Sequence, residues 1–232
     1  MEQLILELAT QEPPAFANFV AGSNREAVAM LHRLAAGDVR ETGVVIWGPA
    51  GVGKTHLLRA VVAAAAKAGR LACYVADPAR ADPSAQPGAL YCVDAIDTAD
   101  ESAQACLFTL YNALAASHGQ LLAAATRAPA RLALRDDLRT RLAHGLVYEI
   151  ATLQDADKAE ALATYASERG FRLSGEVIDY LLAHGRRDMA TLVATLAALD
   201  RHSLAAKRPI TVPLLREWMD RQRTRGDARP PT

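Results

Sequence analysis

The sequence predicts an α/β core, a mostly parallel sheet flanked by helices, followed by a small all-helical C-terminal module. Three observations carry that prediction. Up to Ile150, short apolar runs alternate with segments of helical period, as expected of βα units whose strands are buried on both faces. At one junction, Gly48-Pro49-Ala50-Gly51-Val52-Gly53-Lys54-Thr55 fits G-x-x-x-x-G-K-[ST], the phosphate-cradling P-loop. Beyond Ile150 the strand signals stop and only helical period remains.

The elements follow in order. Thr10-Gln11-Glu12-Pro13-Pro14 disfavours a helix, so residues 1–14 read as an extended arm and linker. Phe16 to Asn24 leads into Arg25 to Ala36, an amphipathic helix with Ser23 or Asn24 as its N-cap. Val44 to Trp47 is a buried strand, and after the P-loop a helix runs to about Lys67, ended by Gly69. Further strands are expected at Leu71 to Ala76, Ala89 to Asp94, Leu121 to Thr126 and Leu146 to Ile150, with helices at Glu101 to His118 and Leu134 to Ala143. Pro78 to Gly88 is a polar loop without helical period. The core is thus expected over residues 15–151. Ala156 to Arg169, Ser174 to His184, Met189 to Ala206 and Val212 to Arg221 form a helical lid over 152–222, broken at Gly170, Gly185 and Pro209. Residues 223–232, rich in Arg, Pro and Gly, read as a disordered tail.

Composition removes several function classes. The chain has 232 residues, 51% of them hydrophobic, and 26 basic residues balance 26 acidic ones. No global charge therefore recruits nucleic acid or a membrane surface. The longest apolar run, Ala60 to Ala66, is far too short to span a bilayer, and no signal peptide precedes it, so a cytoplasmic protein is expected. Cys73, Cys92 and Cys106 lie in apolar runs without C-x-x-C spacing and read as reduced core residues. The histidines show no metal-ligand spacing.

The chemistry centres on the P-loop. Its glycines let backbone N–H groups converge on a polyphosphate at a helix N-terminus. Lys54 is expected to reach the β- and γ-phosphates, and the Thr55 hydroxyl to hold Mg²⁺. Asp94 ends the third apolar run on the same side of a parallel sheet, where it either holds the Mg²⁺ water shell or is an ordinary strand-end acid. Asp97 lies beyond it, where strand geometry turns it elsewhere.

With these residues in place the chain resembles the DnaA-type AAA+ family. Phe16-Ala17-Asn18-Phe19-Val20-Ala21-Gly22-Ser23-Asn24 is similar to the segment that seats the adenine there. Leu138-Arg139-Thr140-Arg141-Leu142-Ala143-His144-Gly145-Leu146 is similar to the arginine-finger box, with Arg141 in the finger position, and Gly185-Arg186-Arg187-Asp188-Met189 to the lid motif whose sensor arginine is Arg187. The resemblance implies ADP or ATP with Mg²⁺ as the ligand. Its contacts would be Phe19, Val20, Gly48, Gly51, Val52, Gly53, Lys54, Thr55, His56, Thr126 and Arg187. Hydrolysing relatives usually carry a second acid after Asp94. Here Ala95 stands in that place, so little intrinsic ATPase is implied. A surface salt bridge is the alternative for Arg141, because Arg135, Asp136, Asp137 and Arg139 crowd the same helix.

Only Pro78 to Gly88 separates the second and third strands, where initiators of this family carry a long insertion that grips single-stranded DNA; no C-terminal helix-turn-helix is seen either. The resemblance therefore implies a compact regulatory member that sits on the sliding clamp (the beta subunit of the polymerase). It would provoke hydrolysis of ATP bound to the DnaA initiator, so restraining replication initiation. Gln3-Leu4-Ile5-Leu6-Glu7-Leu8 is similar to the clamp-binding hexapeptide Q-L-[SD]-L-P-L; Gln3, Leu4, Leu6 and Leu8 match, while Ile5 and Glu7 depart. A strand packed on the core is the alternative for that arm. DNA would be met only indirectly through the clamp, with no membrane partner, and self-assembly into a homo-oligomer is compatible with this reading. The rival functions are an active AAA+ ATPase such as a helicase loader, and a P-loop kinase of a small substrate.

Overall fold

The computed structural model describes residues 13–185 and 188–227. The hexapeptide Gln3 to Leu8 and the sensor candidate Arg187 lie outside the described residues. The chain divides into two compact units at Leu153 and Gln154.

The first unit runs α1 (Arg25–Ala36), β1 (Gly43–Trp47), α2 (Lys54–Lys67), β2 (Ala72–Val75), β3 (Leu90–Val93), α3 (Glu101–Ala116), β4 (Gln120–Ala125), α4 (Asp136–Ala143) and β5 (Leu146–Glu149). The strands form one sheet in the order β2-β3-β4-β1-β5, every pairing parallel. Alternation along each strand builds two cores. Val44 and Ile46 of β1, Cys92 of β3 and Leu122 and Ala124 of β4 pack with Leu31, Leu34, Leu57 and Val61 of α1 and α2. On the other face Val45, Tyr91, Val93, Leu121 and Ala123 meet Leu107, Leu110 and Leu114 of α3 and Leu138 and Leu142 of α4. Each fully buried leucine contributes roughly 1.5–3 kcal/mol. β1 lies inside the sheet, between β4 and β5, so the loop that leaves it is held from both sides.

Two local expectations change. Neither Ser23 nor Asn24 caps α1 through its side chain; Asn24 instead donates to the Ala151 carbonyl (3.0 Å) and accepts from the Ala151 N–H (2.8 Å). Asn24 is 4% exposed, and a buried amide takes two strong partners from a distant segment over one local N–H. The polar loop after β2 also contains a short 3-10 turn, Pro78–Arg80, because the Asp77 carboxylate accepts from the Ala79 N–H.

The second unit packs α5 (Asp155–Glu168), α6 (Gly175–His184), α7 (Met189–Ala206) and α8 (Val212–Asp227) around Leu162, Val177, Leu181, Leu196, Leu199, Leu214 and Leu215. Its last helix runs past Arg221 into the expected tail, since no proline stands between Arg221 and Pro230 to stop it. All three cysteines are free, and complete burial pushes the Cys92 thiol far above its usual range. Among the described residues no helix is long and apolar enough to cross a membrane.

Candidate functional site

Parallel strands deliver their C-terminal ends to one edge of the sheet, and the residues singled out in the sequence gather there. Gly48 leaves β1 and donates its N–H to the carbonyl of Ala125, the last residue of β4 (3.2 Å). A Cβ at Gly48 would run into the Ile150 carbonyl, so no other residue fits. Gly53 precedes α2 at φ +95°, where a Cβ would lie 2.8 Å from the Phe19 ring. The Phe16–Asn24 segment is therefore laid directly on the loop. His56 Nε2 lies 2.9 Å from the Ala15 carbonyl and its ring 5.6 Å from that of Phe19, while Val20 is half-buried beside them in sequence.

Lys54 opens α2 and folds its ammonium back over the loop, donating to the carbonyls of Gly48 (2.6 Å) and Pro49 (2.8 Å). Two of its three N–H donors are thus in use. Burial lowers the Lys54 pKa, opposed by the charges of Asp94 and Asp97. Thr55 donates its hydroxyl to Asp94 Oδ2 at 2.6 Å. Asp94, 9% exposed, is otherwise held by the Tyr74 hydroxyl on the same oxygen (3.0 Å) and the Ala95 N–H on Oδ1 (2.9 Å). Burial, then the Asp94 charge, raises the Tyr74 pKa, and the Arg59 guanidinium lies 4.8 Å above its ring. Tyr74 and Arg59 were not singled out from the sequence. The available signal was a tyrosine in a half-buried strand, whose hydroxyl needs a partner.

Asp97 is the clear correction. Strand alternation was expected to turn it away, but the strand ends at Val93 and the chain turns at Ala95, in the left-handed region at φ 48° and ψ 44°. That turn brings the Asp97 carboxylate to Thr126, whose hydroxyl donates to Oδ2 at 2.7 Å. Thr126 directly follows Ala125, the residue bonded to Gly48. Lys54, Thr55, Asp94, Thr126 and Asp97 therefore form one edge.

Arg141 stands elsewhere. It is exposed in the last turn of α4, with its guanidinium 5.8 Å from the Phe108 ring and 5.7 Å from the Tyr111 ring. Arg135 and Arg139 take the neighbouring acids, Asp137 at 2.9 Å and Asp136 at 2.5 Å, and Arg141 shares neither. Its backbone carbonyl packs 3.6 Å from the position a Cβ would take on Gly43, the first residue of β1. The P-loop leaves the far end of that strand.

This arrangement has known relatives. Residues 11–75 match the bacterial DnaA ATPase domain family, and residues 155–219 match the family described as Hda, lid domain. Together the two matches mark the chain as Hda-like, a DnaA-type AAA+ segment followed by an Hda-type lid. Domain III of the Thermotoga maritima replication initiation protein DnaA superposes with a TM-score of 0.74 over 88% of this chain and 95% of that one, at 17% identity. A replication initiator DnaA bound to AMPPCP and single-stranded DNA gives 0.69 at 25% identity, covering 82% of this chain and 65% of that one. The Thermotoga maritima RuvB Holliday junction branch migration motor also gives 0.69, at 16% identity over 90% of this chain and 72% of that one; this last likeness and the first bear on fold alone. An AAA+ ATPase domain implies that this Hda-like protein binds nucleotide.

Proposed function

We propose that this protein is a negative regulator of replication initiation. It binds ADP or ATP with Mg²⁺, docks on the sliding clamp through Gln3, Leu4, Leu6 and Leu8, and stimulates hydrolysis of DnaA-bound ATP by offering Arg141 in trans. The position of Arg141 carries the reading. β1 spans five residues, roughly 16 Å, and separates the P-loop from the Arg141 backbone. With its guanidinium laid over Phe108 and Tyr111 on the same side as Gly43, Arg141 serves a phosphate other than its own. Cation–π attraction at an exposed site is worth about 0.5–1 kcal/mol, so the guanidinium leaves its rings at little cost for a charge-assisted fork with phosphate. Stabilising transition-state charge there is worth about 10³–10⁵ in rate, or roughly 4–7 kcal/mol.

The protein's own site would hold the nucleotide that licenses this contact. Lys54 exchanges the Gly48 and Pro49 carbonyls for β- and γ-phosphate oxygens. The Thr55 hydroxyl and Asp94 carboxylate are the hard oxygen donors that Mg²⁺ takes, and the ion when bound would neutralise phosphate charge. Phe19, Val20 and His56 would flank the base, and Arg187 is the further nucleotide contact that the family resemblance implies.

The test is release of phosphate from labelled ATP prebound to DnaA, with clamp and DNA, in the presence and absence of this protein. Stimulation by wild type and none by Arg141→Ala is expected, with nucleotide affinity unchanged. Full stimulation by Arg141→Ala rejects the reading. Clamp capture by wild type and its loss in Gln3→Ala with Leu6→Ala tests the arm separately.

A further inference from the structure

We propose that Asp97 activates the water for slow hydrolysis of this protein's own bound ATP, taking the place of the acid that position 95 lacks. The inference rests on the nucleotide-site reading above and adds an activity to it.

Three observations converge on Asp97. The first is the turn that delivers it. Ala95 is a non-glycine residue in the left-handed region, a conformation that costs roughly 1–2 kcal/mol and persists where its surroundings enforce it. Its N–H is tied to Asp94 Oδ1, and its carbonyl accepts from both the Thr98 hydroxyl (2.8 Å) and the Thr98 N–H (2.9 Å). An extended residue there would carry the chain onward along the strand direction; the turn folds Asp97 back across the sheet edge.

The second observation is where Asp97 arrives. Its carboxylate meets Thr126 at the end of β4, one residue after the carbonyl that holds Gly48. β4 is the sheet neighbour of the P-loop strand, so the acid faces the same opening as Lys54, and its charge is felt there. The third is its free valence. Thr126 occupies Oδ2, Oδ1 accepts no hydrogen bond among the described residues, and the side chain is exposed. A carboxylate fixed through one oxygen with the other open to solvent is arranged to orient and deprotonate a water molecule.

In the step, the water oxygen bonds to the γ-phosphorus as the bond from that phosphorus to the β,γ-bridging oxygen breaks. The water proton passes to Asp97 Oδ1 and then to solvent, leaving ADP and orthophosphate. Asp97 is the catalytic residue and Thr126 its positioning residue. The consequence is a protein that converts its own ATP form to the ADP form without a partner.

The test uses the full chain with prebound labelled ATP and Mg²⁺, following phosphate release in a single turnover. Fluorescent-nucleotide titration supplies ATP affinity. Wild type should release phosphate slowly, and Asp97→Asn should be slower by on the order of 10²-fold with affinity unchanged within about twofold. Thr126→Val should lose part of the rate, and Thr126→Ser, which keeps the hydroxyl that orients Asp97, should restore it. Wild-type rate in Asp97→Asn, or wild type that binds ATP and releases no phosphate, overturns the proposal. Failure of wild type to bind ATP instead removes the nucleotide-site reading on which it rests.

Discussion

The two ends of β1 show how one strand separates binding from giving. At its C-terminal end the side chains are committed to one another and to the loop: Lys54 to loop carbonyls, Thr55 and Tyr74 to Asp94, and Thr126 to Asp97 at the exposed margin. At its N-terminal end Arg141 lies exposed on two aromatic rings, beside arginines that are already paired with acids. A network of short, partly buried hydrogen bonds is costly to open and suits a ligand retained for long periods. A cation held by ring faces is easily surrendered and suits a contact made and broken with another molecule. The parallel sheet makes the separation possible, because it delivers all strand ends of one kind to a single edge.

If the strand separates binding from giving, damage at the giving end should leave nucleotide binding intact. The largest effect is expected from Arg141→Ala, which should lower stimulation of DnaA-bound ATP hydrolysis about 10³-fold or more while this protein's nucleotide affinity stays at wild type. Arg141→Lys should recover only a small part, since an ammonium cannot present the guanidinium fork. Gly48→Ala should lower both readouts, because the bound nucleotide licenses the Arg141 contact. The alanine Cβ meets backbone at Ile150, so nucleotide titration should show binding abolished and a denaturant melt should show about 1–3 kcal/mol lost.

Smaller effects sharpen the binding end. Tyr74→Phe removes one hydrogen bond to Asp94 and should weaken the Mg²⁺-dependent part of nucleotide affinity roughly three- to tenfold, leaving Mg²⁺-free affinity unchanged. Equal loss with and without Mg²⁺ would show that Tyr74 merely packs. Ala95→Gly relieves the left-handed strain but adds unfolded-chain freedom, so a net gain of about 0.5–1 kcal/mol is expected by denaturant melt. The smallest effect belongs to the lid. Arg208 holds the Glu217 carboxyl below its ordinary range by hydrogen bond and charge. A depressed folded pKa contributes stability above the ordinary carboxylate value that is lost as pH falls through the lowered one. Both groups are exposed, so Glu217→Gln should match wild type within error at neutral pH, by thermal melt.

The fold was largely legible because its signals are local. Buried strands read as apolar runs, the P-loop lies between a strand and a helix, and the helices after Ile150 keep their period. That Lys54, Thr55 and Asp94 would gather at one sheet edge was legible for the same reason. What escaped depends on partners far along the chain. Asn24 obeys a local capping rule on paper and gives it up for Ala151, more than a hundred residues later. Tyr74 finds Asp94 only because β2 and β3 are adjacent. Asp97 was misread because alternation was carried past the end of a strand, and an alanine gives no warning of a left-handed turn. Arg141 was legible as a type and a position, whereas its aromatic seat required α3 and α4 to meet.

The pairing of β1 also sets when this protein becomes competent. The P-loop strand is made early, but its sheet neighbours are β4, beginning at Gln120, and β5, beginning at Leu146. Gly48 is fixed by Ala125 and closed over by Ile150. During synthesis the loop therefore emerges long before anything can hold it, and such long-range parallel pairing is slow to form. A nascent chain halted before Gln120 carries the whole motif and lacks both strands that flank β1. Nucleotide capture then reports that the α/β core has been completed.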